Sequence, residues 1–186
     1  MSDKIRNLLI LFSGCLLSIG SSAAEAKQPN IVLFYVDDLG WSDLGYSGSS
    51  YYESPNVDLL ATEGVVFDNA YACAPNCAPS RACLMSGMYG PRHGVYTVGT
   101  AARGKSGDRK LIPVENQTVL DDGIETLPEQ LKKLGYTTGH FGKWHLGDDP
   151  TTQGMDVNIA GKIWGSPSGG GYHSPFKFPN LEEPKP

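Results

Sequence analysis

Residues 31–36, Ile-Val-Leu-Phe-Tyr-Val, form an unbroken apolar run that ends on two acids, Asp37 and Asp38. A run of that length without alternation predicts a strand buried on both faces, as in a parallel sheet. Residues 56–63 predict a short helix, with Asn56 as its cap, Leu59 and Leu60 as its apolar side and Gly64 as its stop. Val65, Val66 and Phe67 predict a further strand that continues irregularly towards Tyr71. A helix is expected from Pro79 to about Met88, because proline is tolerated in a first turn whose amides lack intrahelical partners. Thr126-Leu127-Pro128-Glu129 has capping-box spacing and opens a helix through Leu134, which Gly135 ends. Residues 136–141 then predict the next strand. Strand and helix alternate, so the fold class is α/β, a layered sheet with ligands gathered beyond the carboxyl ends of its strands. Asp37, Asp38, Lys143 and His145 all follow such ends.

The polar stretches carry less structure. Residues 99–125 are irregular and predict a surface insertion. From Asp148 to Pro186 the chain is rich in Gly, Pro, Ser and Asn and shows no periodicity. A loop that long is functional or disordered more often than not. There is no internal repeat.

The beginning of the chain reads as an export signal. Lys4 and Arg6 precede an apolar stretch from Leu8 to Ile19, and Ala24-Glu25-Ala26 supplies a small-x-small cleavage site. Residues 1–26 are therefore expected to be a signal peptide, with the mature protein exported to the periplasm or beyond. The alternative is a lipoprotein signal with Cys15 lipidated. The apolar stretch is too short for a stable membrane span. Cleavage would leave Cys73, Cys77 and Cys83, an odd number that singles out one thiol. Cys73 and Cys83 could pair with each other or stay buried and free, and the second is the expectation.

Composition narrows the classes. Of 186 residues, 40% are hydrophobic and 19% charged, which suits one globular domain with a sizeable core. The formal net charge of −5 argues against a nucleic-acid partner. It also means that an anionic ligand must be held by local positive charge.

Cys77-Ala78-Pro79-Ser80-Arg81 is the most chemically suggestive stretch. Unpaired amides and the dipole at a helix start favour negative charge at Cys77. Arg81 adds a positive fork one turn on. This is a setting for a nucleophile acting on an anion, although the same residues also suit a structural cysteine beside a capped turn. Asp37 and Asp38 would point to opposite faces in a regular strand, but a turn at the strand end lets both reach one cation, and hard oxygen ligands suit Ca²⁺ or Mg²⁺. Lys143 and His145 are two apart and would share one side of an extended segment.

Three stretches in order, 31–40, Cys77 to Arg81, and Gly135-Tyr136-Thr137-Thr138-Gly139-His140-Phe141-Gly142-Lys143-Trp144-His145-Leu146-Gly147, make the chain resemble the sulfatase family. The stretches around Pro91-Arg92-His93 and Asp156-Val157-Asn158-Ile159 resemble its bacterial and N-acetylgalactosamine-6-sulfatase-like members. The resemblance implies an alkaline-phosphatase-like fold, of which residues 27–186 would be the N-terminal portion of the catalytic domain. It implies a sulfuric ester hydrolase acting on a sulfated carbohydrate or aryl sulfate.

The resemblance further implies conversion of Cys77 to formylglycine by a maturation enzyme, whose hydrated aldehyde is the nucleophile. It assigns Ca²⁺, with Mg²⁺ as the alternative, to Asp37, Asp38 and the modified Cys77. It assigns Arg81 and Lys143 to the sulfate oxygens, and His145 to proton transfer at the hydrate. Asn76, Met88 and Phe141 depart from the residues many relatives carry there. The family's remaining metal ligands, and a second His and Lys, have no counterpart in residues 148–186, so the 186 residues alone are expected to be inactive. The alternatives are a phosphonate or phosphate ester hydrolase of the same superfamily, or a truncated non-catalytic exported protein. His93 is expected at the rim of the site or in a structural role, His140 packed, and Trp41, Trp144 and Trp164 in the core.

Overall fold

A computed structural model describes residues 28–167, 172–173, 177–178 and 181. The expected signal peptide, with Cys15, lies outside these residues. The chain divides into two compact units at Leu39/Gly40.

In the first unit, residues 28–36 are extended and residues 37–38 turn, with Asp38 at φ 55°. The predicted strand 31–36 is not formed. Its side chains range from 37% exposed at Tyr35 to 83% at Phe34. A strand exists only by pairing its amides and carbonyls with a neighbour. No described residue pairs with this one in a sheet.

The second unit begins with a 3₁₀ turn, Gly45–Ser47, followed by helix α1, Pro55–Glu63. The cap of α1 is Ser54, not Asn56, because Pro55 presets the first helical φ. Asp58 accepts hydrogen bonds from the Tyr46 amide at 2.8 Å and the Ser54 hydroxyl at 2.9 Å, and so ties the turn to α1. Leu59 and Leu60 do not form a buried face: they are 56% and 64% exposed. The strand expected at residues 65–67 is likewise absent, and Phe67 is exposed.

Helix α2 is Cys77–Ser86, capped by Asn76 and closed by Gly87 in the left-handed region at φ 65°. It starts and ends two residues earlier than the sequence predicts, which puts Cys77 at its first position. A short helix α3, Gly90–His93, follows, and Leu127–Lys133 forms α4. The Glu129 carboxylate accepts from the Thr126 amide at 2.7 Å, the predicted reciprocal arm of the capping box. Helix α2 packs on both α3 and α4.

The sheet described is small. β1, Gly139–Phe141, pairs in parallel with β2, Val157–Ile159, in the register Gly139↔Val157, His140↔Asn158, Phe141↔Ile159. β1 is the end of the predicted strand 136–141. β2 corrects the expectation that residues 148–186 lack regular structure; three residues are too few to show a period.

The core joins α2 to the chain after β1. Ala78, Ala82, Met85, Val95, Leu120, Trp144 and Leu146 form one buried cluster. Leu120 lies within the supposed surface insertion, yet it is fully buried and its amide donates to the Leu146 carbonyl at 2.8 Å. The polar neighbours of this single leucine concealed a core segment. Trp144 is 1% exposed, as expected of a core tryptophan, whereas Trp41 is 82% exposed.

Candidate active site

Cys77 is half-buried at the first position of α2, a ten-residue helix whose following residues, from Ala78 to Cys83, are all buried. The Asn76 side chain forms no cap hydrogen bond to the helix amides. Pro79 has no amide, and the Ser80 amide bonds the Asn76 carbonyl at 3.1 Å. The start of the helix therefore keeps the electropositive character of its dipole around Cys77.

Arg81 lies four residues on, on the same helix face as Cys77. It is only 6% exposed. Its Nη1 donates to the Lys143 carbonyl oxygen at 2.5 Å. The two central motifs, 62 residues apart in sequence at this bond, thus meet in space. One donor of the guanidinium is committed to backbone, so part of Arg81 serves to hold the Lys143 segment against α2.

After β1 the backbone does not continue as a strand. Gly142 and His145 both adopt left-handed φ, 99° and 65°. This corrects the reading that Lys143 and His145 share one side of an extended segment, because period-two alternation requires extended dihedrals throughout. Lys143 is half-buried, while Trp144 and His145 are both buried. The Gly142 amide donates to Ile159 O at 2.8 Å and the His145 amide to Lys162 O at 2.9 Å. A left-handed histidine is uncommon, and such conformations concentrate where surrounding structure imposes them. The Lys162 segment that imposes this one carries no sequence motif.

His140 packs as expected. Its ring meets Trp144 edge-on at 5.0 Å, and Nε2 donates to the Gly142 carbonyl at 3.0 Å. Burial lowers its pKa, and the nearby Arg81 charge adds to the effect. His93 is buried, and burial likewise lowers its pKa. Its Nδ1 accepts the Val95 amide, so Nε2 carries the proton and points it at Cys83 Sγ, 3.3 Å away. In this tautomer the imidazole donates to the thiol and does not accept its proton, so the pair joins α2 to α3 without activating Cys83. Burial pushes the Cys83 thiol up, in keeping with an inert role. Cys83 is free and buried as expected; Cys73 is free but exposed, because it precedes α2 in an irregular segment outside the core.

A cleft between residues 91–94 and 117–124 is lined by Arg92, His93, Gln117, Asp121 and Asp122. None of Cys77, Arg81, Lys143 or His145 lines it. Asp37 and Asp38 belong to the first unit, where they form an exposed turn of hard oxygen donors. Among the described residues, no group of three or more His, Cys, Asp or Glu gathers into a metal-holding cluster.

A family model described as Sulfatase matches residues 29–184. The chain is 44% identical over 146 residues to N-acetylgalactosamine-6-sulfatase of Mus musculus, covering 78% of this chain and 26% of that protein. Among solved structures, Ps i-CgsB matches with a TM-score of 0.59 at 34% identity, over 73% of this chain and 29% of that one. BT4656, solved in complex with its substrate D-glucosamine-2-N,6-O-disulfate, matches with a TM-score of 0.55 at 32% identity, over 70% of this chain and 22% of that one. The chain spans about a quarter of the length of the mouse relative.

Proposed function

The chain belongs to the sulfatase family, with the alkaline-phosphatase-like fold of its structural neighbours, and we propose that it carries the nucleophile side of a sulfuric ester hydrolase for sulfated carbohydrates. The observation that carries this reading is the Arg81 guanidinium. It sits one turn after Cys77 and is bonded to the Lys143 carbonyl, so nucleophile, guanidinium and the Lys143–His145 segment belong to one arrangement. The sugar class is supported by the named activity of the mouse relative and by the substrate bound to BT4656.

A formylglycine made from Cys77 would supply a hydrated aldehyde, one hydroxyl to attack sulfur and the other to expel sulfate. The remaining work falls to the chain's own side chains. The α2 amides and dipole stabilise negative charge at position 77. The guanidinium of Arg81, with Lys143, holds the ester's non-bridging oxygens. His145 accepts the proton at the hydrate. Asp37 and Asp38 fit a hard cation by donor type, but Ca²⁺ takes about six to eight oxygens, so they form part of a ligand set. When bound, that cation would supply positive charge for an anionic ligand. The leader in residues 1–26 directs export, where sulfated glycans are met.

The test uses protein isolated from a host with the maturation enzyme. The peptide containing Cys77 is expected to show the thiol-to-aldehyde mass loss, and the full-length matured protein to turn over aryl sulfate and 6-sulfated amino sugars. Cys77→Ala should reduce turnover to background. Faster turnover of a phenyl phosphonate ester would favour the phosphonate hydrolase. An intact, alkylatable Cys77 with no turnover would support the non-catalytic alternative.

A further inference from the structure

We propose that Gly165 is a positioning residue for His145. The inference rests on the reading of His145 as the proton acceptor, and it names what fixes that imidazole. The backbone of His145 is pinned in the left-handed region by its bond to Lys162 O, so the ring can move only through its side-chain torsions. The side chain is buried and has no solvent to swing into. Gly165, three residues beyond Lys162, covers the ring on its polar edge. A Cβ at position 165 would lie 2.7 Å from Cε1, 3.1 Å from Nε2 and 3.3 Å from Nδ1 of His145. The first distance is far inside van der Waals contact, and Cε1 lies between the two nitrogens that carry the ring's acid-base chemistry.

Gly165 does not need to be glycine for its own backbone. Its φ lies outside the left-handed range, unlike those of Gly142 and Gly154. What a side chain here would meet is the imidazole of His145. The absent Cβ leaves the room in which the ring takes its orientation.

Gly165→Ala is the test, with three readouts. Long-range ¹H–¹⁵N spectra of the imidazoles follow His145 among four histidines, its signals assigned through His145→Gln. The expected result is altered His145 tautomer shifts and a titration midpoint moved by about half a unit or more. If the wild-type protein hydrolyses aryl sulfate, kcat should fall roughly tenfold to a hundredfold with a displaced pH profile and little change in KM. Thermal midpoints of Gly165→Ala, His145→Ala and the double variant form a cycle. Stability lost in Gly165→Ala should be recovered when the ring is also removed. Unchanged imidazole signals, or a loss of stability that the double variant fails to recover, would overturn the proposal. Both the spectra and the cycle are independent of turnover. Full-length protein that is inactive with formylglycine confirmed at position 77, together with a perturbed His145 in Gly165→Ala, would therefore sink the hydrolase reading and leave the role of Gly165 standing.

Discussion

Residues 31–36 and residues 144–146 are both apolar-rich stretches, and the chain treats them in opposite ways. The first is six apolar residues without interruption, yet Phe34 is 83% exposed. The second, Trp-His-Leu, has a histidine at its centre, yet all three side chains are buried. The difference lies in what faces them. Ala78 and Ala82 give α2 a surface of small side chains, and Trp144 and Leu146 share their cluster with Met85, Val95 and Leu120. Residues 31–36 have no sheet partner among the described residues. Hydrophobicity states a demand for burial; whether it is met depends on a complementary surface supplied by other segments.

The strongest test of this contrast pairs Trp144→Ala with Phe34→Ala. Emptying the Trp144 site should destabilise the fold by about 3–5 kcal/mol, whereas an exposed phenylalanine should change stability by no more than about 0.5 kcal/mol. Urea unfolding of both variants measures the two losses. Equal losses would mean that residues 31–36 are buried in the working protein, and the contrast would vanish.

Arg81→Ala sharpens it on the polar side. A guanidinium bonded to a carbonyl in a buried setting contributes roughly 1.5–3 kcal/mol, so the variant should be less stable by that order as well as inactive. If Arg81 holds the ester as proposed, Arg81→Lys should not restore activity, because an ammonium lacks a planar fork able to serve the Lys143 carbonyl and an oxyanion together. Full activity in Arg81→Lys would reduce Arg81 to a simple positive charge.

The smallest effect lies at the partly exposed joint between α4 and the sheet. Asp156 bonds Lys132 at 2.7 Å and the Thr138 amide at 2.9 Å, and these hold its carboxyl at about 2, below the ordinary 3.8. A carboxyl depressed on folding contributes stability that is present above its unfolded value and lost as pH falls through its folded one. The thermal midpoint of wild type should therefore exceed that of Asp156→Asn above about pH 4, and the gap should close as pH falls towards about 2. A gap independent of pH would show that the ion pair adds nothing.

Local chemistry was readable where short-range geometry decides it. The Thr126–Glu129 box and the stop at Gly64 follow from caps, whose effects act within one turn. The packed roles of Trp144 and His140 were also legible. Asn56 was misread as a cap because Pro55, one residue earlier, already fits the first helical position. Leu120 and β2 were missed because one buried leucine and three strand residues carry too little pattern to rise above their polar surroundings.

The amino-acid order alone determined which groups are available: a cysteine at a helix start with an arginine one turn on, a Lys-Trp-His segment after a strand, two adjacent acids at the end of an apolar run, and the family to which these belong. These are properties of composition and spacing, and no packing is needed to read them. The tertiary structure alone decided how they are used. It put the Arg81 guanidinium on the Lys143 carbonyl across 62 residues. It forced His145 into a left-handed conformation through the carbonyl of Lys162 and set Gly165 against its ring. Such contacts join segments with no sequence relation to one another, and they exist only once a common core has brought those segments together.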